Sequence, residues 1–208
     1  MALVSIPPKT LKRIVRRRQI TGADRFDEVW DEVYVLSPLA NNEHQKLASK
    51  LLIALDAVVG GDERFNIFIF AGANVSDRGD DWTKNYRCPD VLVFLPGNPA
   101  EDRETHWLGG PDFAVEILSR GDRAREKFAF YARVGVRELL LVERRPWGLE
   151  LYRLVGDDYE LVGKSDLEDP ALLPSIVLPL SFRLVLVPGE PRPHVELAKA
   201  DGTQRWLA

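Results

Sequence analysis

Two apolar segments that both begin with Pro-Asp constrain the fold most strongly. Residues 89–95 read PDVLVFL and residues 111–118 read PDFAVEIL, and their β-branched and aromatic content favours β-strands. The proline stands at the first position of each segment, where no hydrogen-bond donor of a strand is lost. The second segment is apolar on both faces, which is typical of a central strand that other elements cover on both sides.

Hydrophobic periodicity places further elements around these strands. A helix is predicted from Asn41 or Asn42, either of which caps it, to about Val59, and a second helix is predicted over residues 119–134. Other strands are predicted at residues 28–36 (a short strand or hairpin), 65–70, 138–142, 149–155, 159–162 and 176–187. This order predicts an α/β fold with a mixed sheet flanked by helices and an extra β-rich C-terminal part.

The chain is expected to form one domain. We find no internal repeat, low-complexity linker or shift in composition that divides it. The predicted organisation is a basic N-terminal arm at residues 1–23, a single domain at residues 24–190 and a C-terminal tail at residues 191–208.

Charge is distributed unevenly along the sequence. The net charge is −4, but six of the ten residues from Lys9 to Arg18 are basic, which leaves 22 basic against 32 acidic residues elsewhere. A surface that binds nucleic acid over its whole extent is therefore excluded. The arm itself has three open interpretations: it contacts phosphates, it is an organelle transit peptide, or it is a solvated tail.

Cysteine content and hydropathy indicate the compartment. Cys88 is the single cysteine, so neither an intramolecular disulfide nor a multi-cysteine metal site is available, and a reducing cytoplasmic location is expected. No apolar run reaches the roughly eighteen residues that a membrane-spanning helix needs. No membrane partner is expected.

Two acidic residues stand where apolar side chains would be expected. Glu116 shares its strand face with Ala114 and Leu118, and Asp90 lies at the start of the other strand. An ionised carboxylate in an apolar interior costs several kcal/mol unless it is paired or binds a metal. If the strands are neighbours, the two carboxylates offer the oxygen ligands that Mg²⁺ or Mn²⁺ prefers. The alternative is that Glu116 pairs with an arginine and Asp90 caps a turn.

Two basic side chains lie on predicted apolar helix faces. On a helical wheel, Lys127 falls between Tyr131 and Val134, and His44 falls between Leu51 and Leu55. An inward lysine near a buried glutamate is either a neutralising partner or a catalytic cation. A lone histidine on such a face is more often a satisfied core residue, but this set of ionisable groups together favours an active site.

In combination these motifs resemble the Uma-type family of bacterial proteins described as restriction endonucleases, in the PD-(D/E)XK nuclease superfamily. The resemblance covers roughly residues 28–186 and is strongest at residues 89–143, with the Lys127-x-x-x-Tyr131 helix, the segment GVRE at residues 135–138 and His44 at a helix start. It implies a restriction-endonuclease-like fold. Leu118 departs from the common pattern, in which a lysine follows the acid by two residues, and residues 26–31 depart from the usual first strand, which we interpret as drift at the periphery.

The resemblance also implies a site and a reaction. Asp90, Glu116 and the carbonyl of Ile117 would bind a divalent metal, Lys127 would replace the motif lysine, and His44 would hold a ligand or touch phosphate. Asp112 is expected to cap the start of its strand, and Cys88 is expected to be structural.

The expected function is that of a Mg²⁺-dependent endonuclease that hydrolyses DNA phosphodiester bonds, with Mn²⁺ as a substitute and a homodimer if both strands are cut. Two alternatives stay open. One is a catalytically degenerate nuclease fold that acts in nucleic-acid binding or protein assembly. The other is a hydrolase of small phosphate esters.

Overall fold

The computed structural model describes residues 8–60, 68–119 and 121–208. These residues contain three α-helices and sixteen β-strands. The helices are α1 (Pro8–Thr21), α2 (Asn42–Leu55) and α3 (Phe128–Arg133). The strands form three sheets, of which one is central.

The central sheet is mixed, as the sequence predicts. Its strand order is β12-β11-β10-β9-β6-β3, and β9 and β10 form its parallel pair, while the other neighbours are antiparallel. All residues of β9 are buried, which confirms the expected doubly covered strand. The strands of this sheet are β3 (Phe68–Ala71), β6 (Val91–Phe94), β9 (Phe113–Ile117), β10 (Glu138–Arg144), β11 (Trp147–Val155) and β12 (Asp158–Ser165).

The two faces of the central sheet bury different partners because side chains alternate along a strand. Phe113, Val115 and Ile117 pack in one cluster with α2 and the C-terminal strands. Ala114 packs on the other face with α3. Glu116 has the same parity as Ala114 and therefore lies on the α3 face, as predicted.

Helix α2 follows its sequence signals closely. The Asn41 side chain accepts a hydrogen bond from the backbone N–H of His44 at 2.9 Å, so Asn41 is the N-cap. The buried face contains Leu47, Leu51, Ala54 and Leu55. After Leu55 the chain continues as a π-helical turn, Asp56–Gly60. Positions 65–67 of the strand predicted next lie outside the described residues.

The second helix is shorter than predicted. Ser119 and residues 121–123 lie outside regular helix, a 3₁₀ turn covers Ala124–Lys127, and α-helix begins only at Phe128. Gly121 has a φ of +79°, which right-handed helical backbone does not allow. The predicted start at Ser119 is therefore wrong. The predicted end at residue 134 agrees to within one residue with the end of α3 at Arg133, and Gly135 follows with a φ of +84°.

A second sheet, the N-terminal sheet, lies beside the central sheet. Its order is β2-β1-β5-β4-β8-β7, and the predicted hairpin supplies β1 and β2. Its strands are β1 (Glu28–Trp30), β2 (Val33–Val35), β4 (Val75–Ser76), β5 (Tyr86–Arg87), β7 (Glu101–Asp102) and β8 (Trp107–Leu108).

The segment expected to be a C-terminal tail contains β15 and β16, which join a third, C-terminal sheet with the order β13-β14-β15-β16. Val195, Leu197 and Ala208 lie in the main core cluster, since apolar residues alternate along β15. A boundary at residue 190 would divide this core. The strands of this sheet are β13 (Leu173–Pro174), β14 (Leu180–Val185), β15 (His194–Lys199) and β16 (Arg205–Leu207).

The described part of the arm is helix α1; residues 1–7 lie outside the described residues. None of the helices within the described residues is long and apolar enough to cross a membrane.

We expect Leu197→Ala to lower the free energy of unfolding by about 2–5 kcal/mol, because Leu197 is fully buried in the core and its truncation leaves a cavity. The matched control is Leu207→Ala in the same predicted tail, where the side chain is 44% exposed and the expected loss is below about 1 kcal/mol. Urea unfolding monitored by tryptophan fluorescence measures both. Equally small losses would contradict the packing of this segment.

Candidate active site

The predicted site residues line one cleft of about 180 Å³. His44 comes from the first turn of α2, Asp90 directly precedes β6, Glu116 and Ile117 belong to β9, and Lys127 ends the 3₁₀ turn before α3. All five line the cleft. The tertiary fold therefore brings together the set that the sequence singled out.

Asp90 is held against the end of β9. Its backbone N–H donates to the carbonyl of Val115 at 3.0 Å, and its Oδ2 accepts from the backbone N–H of Ile117 at 2.7 Å. The other carboxylate oxygen, Oδ1, lies 3.2 Å from Nε2 of His44. These contacts fix the carboxylate at the cleft and place His44 directly beside it.

Lys127 bridges two buried carboxylates. Its Nζ donates to Oε1 of Glu116 at 2.9 Å and to Oε1 of Glu28 at 2.9 Å. The hydroxyl of Tyr131, one helical turn further on, also donates to Oε1 of Glu116. The expected inward lysine beside a buried glutamate is therefore present, and it is an ion-pair partner in this geometry.

Glu28 is the site residue that sequence reasoning missed. It is buried, and besides Lys127 it accepts from the backbone N–H of Cys88 at 2.9 Å and from Nε1 of Trp30 at 2.6 Å. The interpretation of residues 26–31 as peripheral drift is wrong at this position. The sequence offered one local signal, an acid directly before the apolar Val29. The contact of Glu28 with Lys127 spans 99 residues and cannot be predicted from local pattern.

Burial sets the protonation of this cluster. Desolvation raises the pKa of Glu116 to about 7, and the nearby carboxylates Asp90 and Glu28 add to the rise, while Lys127 opposes it. For Lys127, burial acts to lower the pKa, but the Glu116 and Glu28 carboxylates outweigh it and the pKa is raised. Lys127 therefore stays cationic at neutral pH, whereas Glu116 titrates near neutrality.

The donor set of the cleft fits a divalent cation. Three carboxylates (Glu28, Asp90 and Glu116) face one ammonium group, so the ionised cluster carries an excess of two negative charges. Within the described residues, both hydrogen bonds to Glu116 end on Oε1. No group of three or more His, Cys, Asp or Glu with metal-binding spacing occurs in that part of the chain. Two carboxylates with room for water suit Mg²⁺, which keeps several waters when bound.

Asp112, Cys88 and Leu118 contact groups that stabilise the fold. Oδ2 of Asp112, which directly precedes β9, accepts from the backbone N–H of Leu95 and from Nδ2 of Asn98, both at 2.8 Å, so this carboxylate binds the segment that follows β6. Burial raises the pKa of the Cys88 thiol, which disfavours a reactive thiolate. Leu118 packs with Ala124 and Leu141 in a small apolar cluster, so no cation occupies the position two residues after the acid.

Comparison with known proteins supports this fold. A family model described as "Uma2: Putative restriction endonuclease" matches residues 16–186. A crystal structure described as that of "a putative nuclease belonging to DUF820 from Anabaena variabilis ATCC 29413" has a TM-score of 0.56 and 18% sequence identity, and the match covers 72% of this chain and 80% of that chain. No curated protein matches. The chain has the fold that its sequence resemblance implied.

We expect Glu116→Gln to change the pH dependence of stability in metal-free buffer. Because the folded-state pKa of Glu116 lies above its ordinary value of 4.5, the folded protein binds this proton more tightly than the unfolded chain. The free energy of unfolding of the wild type should therefore fall as pH rises from about 4.5 to about 7. Glutamine has no carboxyl group that titrates, so the variant should lack this pH dependence. At pH 8 it should be more stable than the wild type by on the order of 2 kcal/mol.

The measurement is urea unfolding across this pH range with a chelator present. Glu160→Gln, which removes an exposed carboxylate, is the matched control and should keep the wild-type slope. Identical profiles for Glu116→Gln and the wild type would show that Glu116 is not the group that titrates.

Proposed function

Because the chain belongs to the Uma2 family, whose model is described as "Putative restriction endonuclease", we propose that it is a metal-dependent endonuclease that hydrolyses DNA phosphodiester bonds in this cleft. One observation carries the proposal: Lys127, Glu116 and the Asp90–His44 pair meet in a single cleft, although they come from separate elements. Such a convergence of buried ionisable groups is typical of catalytic sites.

The proposed metal ligands are the carboxylates of Asp90 and Glu116 and the carbonyl of Ile117, with Mg²⁺ as the ion and Mn²⁺ as its substitute. A divalent ion supplies Lewis-acid polarisation of a phosphoryl oxygen and offsets developing negative charge. The hydrogen bond from the backbone N–H of Ile117 to Oδ2 of Asp90 supports these ligands, because it orients the Asp90 carboxylate.

The protein's own groups perform the remaining steps. Lys127 orients the attacking water and stabilises the negative charge that develops on the phosphoryl group. Glu28 helps to hold Lys127 in place, and Tyr131 fixes the Glu116 carboxylate. His44 holds the Asp90 carboxylate in place or contacts a phosphate oxygen, since its Nε2 lies 3.2 Å from Oδ1 of Asp90.

The second candidate function is a nuclease fold that no longer cuts and instead binds nucleic acid or assembles with proteins. Leu118 favours it, because an apolar cluster takes the position that commonly carries the catalytic lysine. Metal binding separates the two candidates. The proposed homodimer would cut both strands of a duplex, since one such cleft cleaves one strand.

We expect wild-type protein to bind Mn²⁺ in titration calorimetry and Asp90→Ala to lose this binding, because one of two carboxylate ligands is removed. Asp112→Asn is the matched control: it changes a buried aspartate that also follows a proline but binds the segment that follows β6, away from the cleft, so metal binding should persist. In a plasmid-nicking assay with Mg²⁺ in the same buffer, the wild type and Asp112→Asn should nick DNA and Asp90→Ala should not. Absence of metal binding in folded wild type would favour the non-cutting module.

Lys127→Ala should reduce nicking by about 10²–10³-fold, the usual cost of removing a group that stabilises transition-state charge, while Mn²⁺ binding persists because both carboxylates remain. Lys46→Ala, which truncates an exposed lysine on α2, is the control and should nick normally. Single-turnover nicking and calorimetry on protein checked by circular dichroism measure both effects. A folded Lys127→Ala variant with wild-type nicking would remove this residue from the mechanism.

A further inference from the structure

Five basic side chains form one face of α1. Lys12, Arg13, Arg16 and Arg17 follow Lys9 at spacings of three, four, seven and eight residues, which places them on the same side of a helix. All five are exposed, and α1 contains no acidic residue. We call Lys9, Lys12, Arg13, Arg16 and Arg17 the basic face.

Arg18, the sixth basic residue of this segment, has a different role. Its guanidinium donates through Nε to Oδ2 of Asp27 at 2.7 Å and through Nη2 to the carbonyl of Ser37 at 2.6 Å. Asp27 is buried and also accepts from the backbone N–H of Ser37 at 2.7 Å. Arg18 is therefore an anchor, and not part of the exposed basic surface.

The anchor fixes α1 next to the cleft. Phe26 and Glu28, which flank Asp27, line the cleft, as do Ser37 and Pro38. The C-terminal end of α1 is thus bound to the two segments that form one wall of the cleft. The basic face therefore belongs to a helix whose last turn is anchored to segments that line the cleft.

We propose that the basic face of α1 binds the phosphate backbone of a DNA duplex and holds it beside the cleft; this rests on the proposed function for its substrate. The cleft is acidic, and the chain outside residues 9–18 carries a net charge of −10, so both repel a polyanion. The basic face has the highest density of positive charge in the sequence. It extends over about 12 Å, a length along which a duplex carries about seven phosphate charges.

Charge complementarity and packing favour DNA over an anionic membrane. A helix that lies in a membrane surface needs an apolar face that is free to enter the lipid. The opposite side of α1 contains Leu11, Ile14 and Val15, which are half-buried, together with the anchor Arg18. This side is partly buried against the protein, whereas the basic face, together with Gln19 and Ile20, is exposed.

The test compares two charge-matched triple variants. Arg13→Gln, Arg16→Gln and Arg17→Gln together remove three charges from the basic face. Arg103→Gln, Lys164→Gln and Arg205→Gln together remove three exposed charges elsewhere. Binding to a fluorescein-labelled DNA duplex of arbitrary sequence is measured by anisotropy between about 50 and 200 mM salt, with a chelator present so that cleavage does not interfere. Circular dichroism checks that each variant folds.

The basic-face variant should bind DNA on the order of 100-fold more weakly, and the slope of log affinity against log salt should fall by up to about 2.7, or about 0.9 for each lost phosphate contact. The control variant should keep the wild-type slope. Equal losses in both variants, or an unchanged slope in the basic-face variant, would overturn the proposal. Binding to phosphatidylserine vesicles without binding to DNA would overturn it in favour of a membrane.

The two proposals fail separately. Wild-type protein that binds DNA through the basic face but never nicks it would contradict the proposed function alone. Wild-type protein that nicks DNA while the basic-face variant binds normally would contradict this inference alone.

Discussion

The cleft depends on the ion pairs that the buried ammonium group of Lys127 forms. Lys127 lies between Glu28 and Glu116, and so connects the N-terminal sheet, the central sheet and the element before α3. An isolated buried charge costs several kcal/mol, so the ammonium group of Lys127 needs its carboxylate partners. Burial raises the pKa of the Glu116 carboxyl group to about 7, although Lys127 opposes the rise.

The cleft and the basic face of α1 differ in net charge. The cleft has an excess of carboxylates, while the basic face of α1 carries five exposed cations, and the Arg18–Asp27 pair joins the two regions. This separation fits the two tasks of a nuclease. Carboxylates suit a hard divalent cation, whereas DNA affinity requires cations that neutralise phosphates.

Much of the site was predictable because buried polar residues break simple apolar patterns. Glu116 stood out in an apolar strand, and Lys127 and His44 stood out on apolar helix faces. Glu28 was missed because its short strand, of three residues, is too brief to show a periodic pattern against which an acid is exceptional. The late start of α3 was missed because Gly121 adopts a positive φ. A lone glycine in a helical pattern does not by itself reveal its backbone conformation.

The sequence by itself determined the alternation of β9, the cap of α2 and the inward direction of the ionisable groups, since these follow from the local geometry of strands and helices. Only the tertiary structure decided which groups meet. It placed Glu28 on Lys127 across 99 residues, turned Arg18 from a surface cation into an anchor, and completed the core with β15. Each of these depends on long-range packing, in which a residue's partner is set by the fold of the whole chain and not by its neighbours in sequence.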